Sequence, residues 1–206
     1  MLVIVDYGVG NLTSIKNMLK KAGHREAVLS SDPDIIGQAT KLILPGVGHF
    51  DYGMQQLNNS GLRQALEIQV LERKTPILGI CLGAQLLTSR SDEGEEPGLG
   101  WVDAETVGFN RQEMPSNLRV PHMGWAEVNP RENHPLFEGL KDESRFYFVH
   151  SFHMVVKADE NCFVKAEHGY TFCAGIHHGH ILGVQFHPEK SHRYGMKLLQ
   201  NFVEYF

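Results

Sequence analysis

Three residues of the chain have the side-chain types that attack an amide and shuttle its protons: Cys81, His187 and Glu189. Cys81 lies in the segment 79–83, GICLG, directly after an apolar run. This pattern is the thiol counterpart of the G-x-S-x-G turn, which lifts a nucleophile above the end of a strand. A helix N-terminus there would favour the thiolate, and the amide of Leu82 would point at a developing oxyanion. A small buried core cysteine is an equally good interpretation of this motif alone.

The segment 187–189, HPE, strengthens the catalytic interpretation. Residues 180–186 before it are predicted to form a strand, and residues i and i+2 of an extended chain face the same side. His187 could then approach Cys81 while Glu189 orients the same imidazole, as in triads of different chain order on different folds. HPE by itself is more often an ordinary turn, but the two motifs together predict a hydrolytic triad.

Alternating strand and helix patterns would position these residues. Apolar runs at 2–5, 42–44 and 76–80 are typical of buried parallel strands, and apolar residues recur at helical spacing in 12–22 and 62–71. Short connections between such elements predict an α/β fold in three layers, with a mainly parallel central sheet covered by helices on both faces.

The second half of the chain has a different pattern. Segments near 102–107, 145–149, 153–156 and 181–186 are predicted to be strands separated by turns, which indicates an antiparallel portion or a mixed sheet. The apolar spacing in 198–206 predicts a closing amphipathic helix. We therefore expect one domain that spans residues 1–206.

Composition narrows the class of protein. The chain has 206 residues, a formal net charge of −5 and three cysteines without a CxxC pair. The negative balance disfavours a general nucleic-acid binder, and no apolar run reaches the length of a membrane span. Cys162 and Cys173 are expected to be reduced thiols. These features predict a cytoplasmic protein that binds neither nucleic acid nor membrane.

Two other motifs have simpler explanations than a cofactor or metal site. The segment 8–10, GVG, resembles half of a dinucleotide fingerprint, but Thr13 replaces the third glycine. We expect a loop whose Asn11 caps the following helix and no cofactor. The segment 177–180, HHGH, has no carboxylate or thiol ligands at a metal-site spacing, which predicts a solvated turn and no metal. The acidic stretch 91–100 is expected to be a solvated loop.

The catalytic motifs resemble those of a known family. The segments 79–85, GICLGAQ, and 186–189, FHPE, match the two hallmark motifs of class I, triad-type glutamine amidotransferases. The resemblance implies that Cys81, His187 and Glu189 form the triad. It also implies that Gln85 helps to bind the glutamine substrate.

Four further segments resemble the glutaminase subunits of imidazole glycerol phosphate synthases: 6–12 (DYGVGNL), 45–48 (PGVG), 121–125 (PHMGW) and 147–152 (YFVHSF). The resemblance extends from the first strand to the last helix. It implies a heterodimer with a (β/α)8-barrel cyclase subunit, which receives the ammonia released from glutamine for histidine biosynthesis.

The resemblance also assigns individual roles. A backbone amide near Val47 and Gly48 would turn toward the scissile carbonyl, and flanking glycines make such a peptide flip inexpensive. Backbone contacts to glutamine would come from His150, Ser151 and Phe152. At the partner interface, the resemblance implies contacts from two residues, Asn11 and Trp125.

Three alternatives remain open from the sequence. Residues 98–104 and 187–192 also resemble paralogues encoded with surface-polysaccharide genes, which are thought to supply ammonia to a sugar-amidating synthase. Ala84 and Ala126 stand where methionine and asparagine are common. A cysteine peptidase-like hydrolase could use the same triad on peptides, and a catalytically silent binding subunit is the third alternative.

Overall fold

The computed structural model describes residues 1–140 and 144–206. Within these residues the strands are, in chain order, β1 (Leu2–Val5), β2 (Val28–Ser30), β3 (Lys41–Gly46), β4 (Ile77–Cys81), β5 (Ala104–Gly108), β6 (His122–Pro130), β7 (Arg145–His150), β8 (Phe152–Val156), β9 (Cys162–Glu167), β10 (Thr171–His178) and β11 (Ile181–Val184). The helices are α1 (Leu12–Lys21), α2 (Pro33–Ile36), α3 (Phe50–Asn59), α4 (Leu62–Glu67), α5 (Leu82–Leu86) and α6 (His192–Tyr205).

Five strands form the parallel centre of the sheet, in the order β2-β1-β3-β4-β11. Strand β4, which ends at Cys81, lies between β3 and β11, and all five of its residues are buried. Its carboxyl end is therefore at the middle of the sheet edge, where α/β folds commonly form their sites.

Both faces of this centre are covered, as predicted. In β1, Val3 and Val5 belong to one apolar cluster together with residues of α3 and α4. Leu2 and Ile4 belong to a second cluster together with residues of α1 and α6. Since neighbouring strand residues point to opposite faces, a continuous apolar run is what a strand buried on both sides requires.

The second half of the chain extends the sheet with antiparallel strands. Strands β10, β9, β6 and β7 follow β11 in that order, and β8 pairs with both β10 and β5. The mixed sheet predicted from the sequence is thus confirmed. None of the helices in the described ranges has the length and apolar character of a membrane-spanning segment.

Several element bounds differ from the predictions. Strand β5 begins at Ala104 rather than at residue 102, and the predicted helix 62–71 is α4 followed by a π-helical turn, Ile68–Glu72. The strand predicted over residues 180–186 ends at Val184, and Pro188–Lys190 forms a 3-10 turn. The proline favours that change because it begins a helical turn without needing its own amide hydrogen bond.

Candidate active site

Cys81 occupies a strained turn between β4 and α5. Its φ of 54° and ψ of −114° lie in a region that residues with a Cβ rarely adopt. Such strain at a strand-to-helix junction is the hallmark of a nucleophile elbow. Cys81 as a whole is 7% exposed, so the residue is largely buried.

Close backbone packing holds this elbow in place. A Cβ added to Gly83 would overlap with the carbonyl oxygen of Leu44, and one added to Gly46 would lie 2.6 Å from the backbone nitrogen of Gly83. Only glycine therefore allows β3 and the start of α5 to approach so closely. Tyr7 closes the same corner, because its hydroxyl donates to the Pro45 carbonyl oxygen at 2.7 Å.

The base side of the site is built by the turn after β11. The Nδ1 atom of His187 lies 2.8 Å from Glu189 Oε1, and both side chains are 1% exposed. The His187 Nε2 atom is buried and has no hydrogen-bond partner in the described part of the chain. Because the Glu189 carboxylate accepts a hydrogen bond from Nδ1, the tautomer is fixed and Nε2 is left for chemistry.

A second set of bonds fixes the turn itself. The backbone nitrogen of His187 donates to the Tyr147 carbonyl oxygen at 2.9 Å. Ser191 Oγ donates to the His187 carbonyl oxygen at 2.6 Å and accepts from the Tyr147 nitrogen at 3.0 Å. The 3-10 turn thus brings the side chains of His187 and Glu189, two positions apart in the HPE motif, into contact. The sequence prediction of an extended chain was wrong in geometry, although it paired the two side chains correctly.

The electrostatics favour a charged imidazole. Burial lowers the pKa of His187, but the Cys81 sulfur and then the Glu189 carboxylate raise it more, to about 9. Burial, with a smaller contribution from the charge of Cys81, raises the pKa of Tyr7 above its usual range. Tyr7 therefore stays protonated near neutral pH, and His187 can stand as an imidazolium beside the Cys81 sulfur.

Ten of the twelve site residues predicted from the sequence line one cleft of about 580 Å³. Its lining includes Cys81, His187, Leu82, Gln85, Val47, Gly48, Asn11, His150, Ser151 and Phe152. Glu189 lies behind His187, bonded to its far side. A cleft of this volume is the size of small-molecule sites in proteins.

Two residues assigned to the partner side have different environments. Asn11 is the N-cap residue of α1, but its side chain makes no capping hydrogen bond, so the predicted cap is wrong in that respect. Trp125 is 45% exposed, and its ring stacks on His192 with the centroids 5.3 Å apart. Trp125 is therefore an exposed aromatic ring held in a fixed orientation.

The structure adds two residues that the sequence patterns did not reveal. Glu93, predicted to be solvated, lines the cleft, and its Oε2 accepts from the Phe50 nitrogen at 2.8 Å, at the start of α3. Gln185 is fully buried after β11, and its Nε2 lies 3.8 Å from Cys81 Sγ. A buried glutamine after an apolar strand was a signal of a specific role, because such a group needs partners.

The histidine-rich segment lies away from this cleft. His177 and His178 end β10, and Gly179 and His180 form the turn into β11. The His177 Nε2 atom bonds to a backbone carbonyl oxygen. Over the residues that the structure describes, no group of three or more His, Cys, Asp or Glu side chains is arranged to hold a metal ion. Cys162 and Cys173 are buried free thiols.

A nucleophile elbow on a mainly parallel sheet, with a histidine and a glutamate behind the thiol, defines a class of thiol-dependent hydrolases. The family model of class-I glutamine amidotransferases matches residues 3–205. The chain belongs to that family. Membership favours an amidotransferase over a peptidase-like hydrolase.

Relatives of known name cover the whole chain. The sequence is 50% identical over 204 residues to the imidazole glycerol phosphate synthase subunit HisH 2 of Pseudomonas aeruginosa, covering 99% of each chain. It is 45% identical over 204 residues to subunit HisH of Bdellovibrio bacteriovorus, covering 99% of this chain and 100% of the relative.

Solved structures support the fold. A putative GMP synthase subunit from Thermoplasma acidophilum has a TM-score of 0.72 at 21% identity, covering 98% of this chain and 91% of that one. The PurLQS structure from Thermotoga maritima has a TM-score of 0.70 at 21% identity, covering 99% and 97%. The predicted three-layer α/β fold is confirmed.

Proposed function

We propose that this chain hydrolyses glutamine to glutamate and ammonia and supplies the ammonia to a partner subunit that makes imidazole glycerol phosphate. The observation that carries the proposal is the arrangement of Cys81 on a strained elbow with the His187–Glu189 pair in the same cleft. Its relatives at 50% and 45% identity are subunits of imidazole glycerol phosphate synthase.

The proposed reaction has two halves. The Cys81 thiolate attacks the side-chain amide carbon of glutamine, and His187 Nε2 gives its proton to the departing nitrogen, which leaves as ammonia with a thioester behind. Water then attacks the thioester carbon and gives a proton to His187, so that glutamate leaves and the thiolate returns. Glu189 holds the imidazole in the required tautomer and stabilises its cationic form.

The oxyanion of both tetrahedral intermediates needs donors in fixed positions. We propose the backbone amide of Leu82 for one and an amide of the Val47–Gly48 segment for the other. Val47 is 41% exposed, Gly48 has a φ of 99°, and a Cβ on Gly48 would meet nothing within 4 Å. The segment therefore has room for the peptide flip that the second donor requires.

The test of this donor is Val47→Pro, which deletes the Val47 amide hydrogen. We expect glutamate release to fall by ~10²-fold or more with Cys81 still alkylated at the wild-type rate. An unchanged turnover number would remove Val47 from the oxyanion site.

Glutamine also carries an α-ammonium group, which needs an anionic partner. Glu93 lines the cleft, and with Oε2 bonded to the Phe50 nitrogen its other oxygen is the one we propose for the ammonium. Gln85 and the backbone of residues 150–152 would complete the binding of the substrate. Glu93→Gln should raise KM for glutamine and leave kcat nearly unchanged, because the α-ammonium lies away from the reacting amide.

For the partner we propose a (β/α)8-barrel cyclase subunit in a heterodimer. Trp125 and Met123 project from the same face of β6 and are 45% and 63% exposed. Large exposed apolar side chains of this kind are common at protein interfaces. Asn11 lines the cleft at the start of α1 and is the polar contact that we expect beside them.

The deciding experiment measures glutamate release by the purified chain alone, with the histidine-pathway cyclase of the same organism, and with cyclase plus its phosphoribulosyl-formimino nucleotide substrate. We expect strong stimulation in the last condition, and loss of all release in Cys81→Ala. Trp125→Ala should reduce the stimulation without changing the alkylation of Cys81. Equal release in all three conditions would contradict the proposed acceptor while leaving the glutaminase chemistry intact.

A further inference from the structure

A chain of hydrogen bonds connects the nucleophile to two buried glutamines. Gln185, at 0% exposure, donates from Nε2 to Cys81 Sγ at 3.8 Å. Its Oε1 accepts from Gln85 Nε2 at 3.0 Å, and the same nitrogen donates to the Phe152 carbonyl oxygen at 3.3 Å. Neither the triad nor the proposed substrate contacts require Gln185.

The direction of these bonds follows from one atom that can only accept, the carbonyl oxygen of Phe152. It takes a hydrogen bond from His150 Nδ1 at 2.7 Å as well as the one from Gln85. The amide nitrogen of Gln85 must therefore face Phe152, and its second hydrogen is left for Gln185 Oε1. Gln185 is then obliged to present its own nitrogen, a donor, to the sulfur.

A donor at this place has a chemical consequence. A hydrogen bond to an ionised acceptor is about twice as strong as one between neutral groups, so an amide hydrogen aimed at sulfur stabilises the thiolate relative to the thiol. The sulfur loses its charge when it attacks the amide, and it regains that charge when the thioester is hydrolysed. The same bond would serve the nucleophile in the first half and the leaving group in the second.

We infer that Gln185 is a further catalytic residue, which stabilises the Cys81 thiolate through its side-chain N–H in an orientation imposed by Gln85 and Phe152. The inference rests on the proposed function for its role in turnover. The interaction itself does not require glutamine, so it can be tested separately.

The test is the pH profile of Cys81 alkylation by iodoacetamide, followed on the Cys81 peptide by mass spectrometry, in wild type and Gln185→Met. Losing a hydrogen bond to a charged sulfur should move the midpoint of the profile up by about one pH unit. At a pH below the midpoint, the variant should therefore be alkylated about ten-fold more slowly than the wild type. Five titratable or charged groups of the described residues face the sulfur or line its cleft: His187, Tyr7, Glu93, His150 and Lys190. They are the same in both proteins.

A second substitution and a control separate this role from simple packing. Gln185→Glu keeps the size and the acceptor for Gln85 but removes the donor, so its midpoint should be at least as high as that of Gln185→Met. Gln69 is another buried amide, which donates to the Ile36 carbonyl oxygen at 3.0 Å and accepts from Thr75. Gln69→Met should lower the melting temperature and leave the alkylation profile of Cys81 unchanged.

The results discriminate clearly. A folded Gln185→Met with the wild-type midpoint would reduce Gln185 to a space-filling residue. If that variant does not fold, an unchanged midpoint in Gln185→Glu has the same meaning. A shifted midpoint, together with no glutamine hydrolysis by the wild type even with the cyclase and its nucleotide substrate present, would support the thiolate contact and contradict the proposed function.

Discussion

The raised pKa of His187 predicts a specific loss of stability in alkaline solution. The perturbation is His187→Gln, which removes the titrating group and keeps a polar side chain beside Glu189. In the wild type, the folded protein retains a proton on His187 up to about pH 9. The unfolded chain releases that proton near 6.5. The folded state therefore binds more protons between these values, and its stability falls as pH rises.

The magnitude follows from the two values. With a folded pKa of about 9 and an ordinary value of 6.5, the stabilisation is about 3 kcal/mol below pH 6.5 and is lost as pH rises through 9.

Other buried histidines make the stability of the fold depend on pH in acidic solution. Burial, then the charge of His168, lowers the pKa of His122 to about 4. Burial also lowers the pKa of His150 to about 3, so stability should rise from there to pH 6.5.

The assay is urea denaturation from pH 4 to 9.5, with the free energy of unfolding extrapolated to water at each pH. The difference between wild type and His187→Gln should be nearly constant below pH 6.5 and shrink toward pH 9. Cys81→Ala and Glu189→Gln should each flatten the alkaline slope, because both groups raise the pKa of His187. A difference that stays constant across the whole range would refute the imidazolium and the pairing derived from it.

Three further predictions concern packing and buried hydrogen bonds. Gly83→Ala places a Cβ on the Leu44 carbonyl oxygen and should lower the free energy of unfolding by ~3 kcal/mol or more in urea denaturation. The control is Gly108→Ala, whose added Cβ has ordinary contacts at 3.7 Å. Asn201→Ala removes two hydrogen bonds to backbone carbonyls and should destabilise by ~2 kcal/mol without slowing Cys81 alkylation. Phe163→Ala opens a fully buried site and should cost ~3–5 kcal/mol by thermal or urea unfolding.

Much of the parallel half of the fold was predictable. Its strands are buried on both faces, and each therefore consists of an unbroken run of apolar residues in the sequence. The predicted strands at residues 2–5 and 76–80 correspond closely to β1 and β4. The elbow was predictable for a related reason. Its glycines are required by backbone contacts that leave no room for a Cβ. The glycines in the sequence therefore indicate where the backbone is closely packed.

Other features depend on long-range contacts that leave little trace in a local pattern. Glu93 is part of an acidic loop, and only the fold brings its carboxylate to the Phe50 nitrogen, 43 positions earlier in the chain. Strands β9 and β10 were not predicted, because consecutive residues in each are buried and a bulge between Cys173 and Ile176 disturbs the alternation of β10. The role of Gln185 depends on Gln85, which is 100 positions away.

The two halves of the site differ in how much their backbone can move. Cys81 is fixed by backbone packing at Gly83, and His187 is fixed by the Ser191 and Tyr147 bonds. A displacement of either would break several contacts at once, so their geometry should be the same in the free and assembled chain. By contrast, Val47 is 41% exposed, and a Cβ added to Gly48 would meet nothing within 4 Å. We therefore expect a partner that alters the rate of hydrolysis to act by turning the Val47–Gly48 segment rather than by assembling the triad.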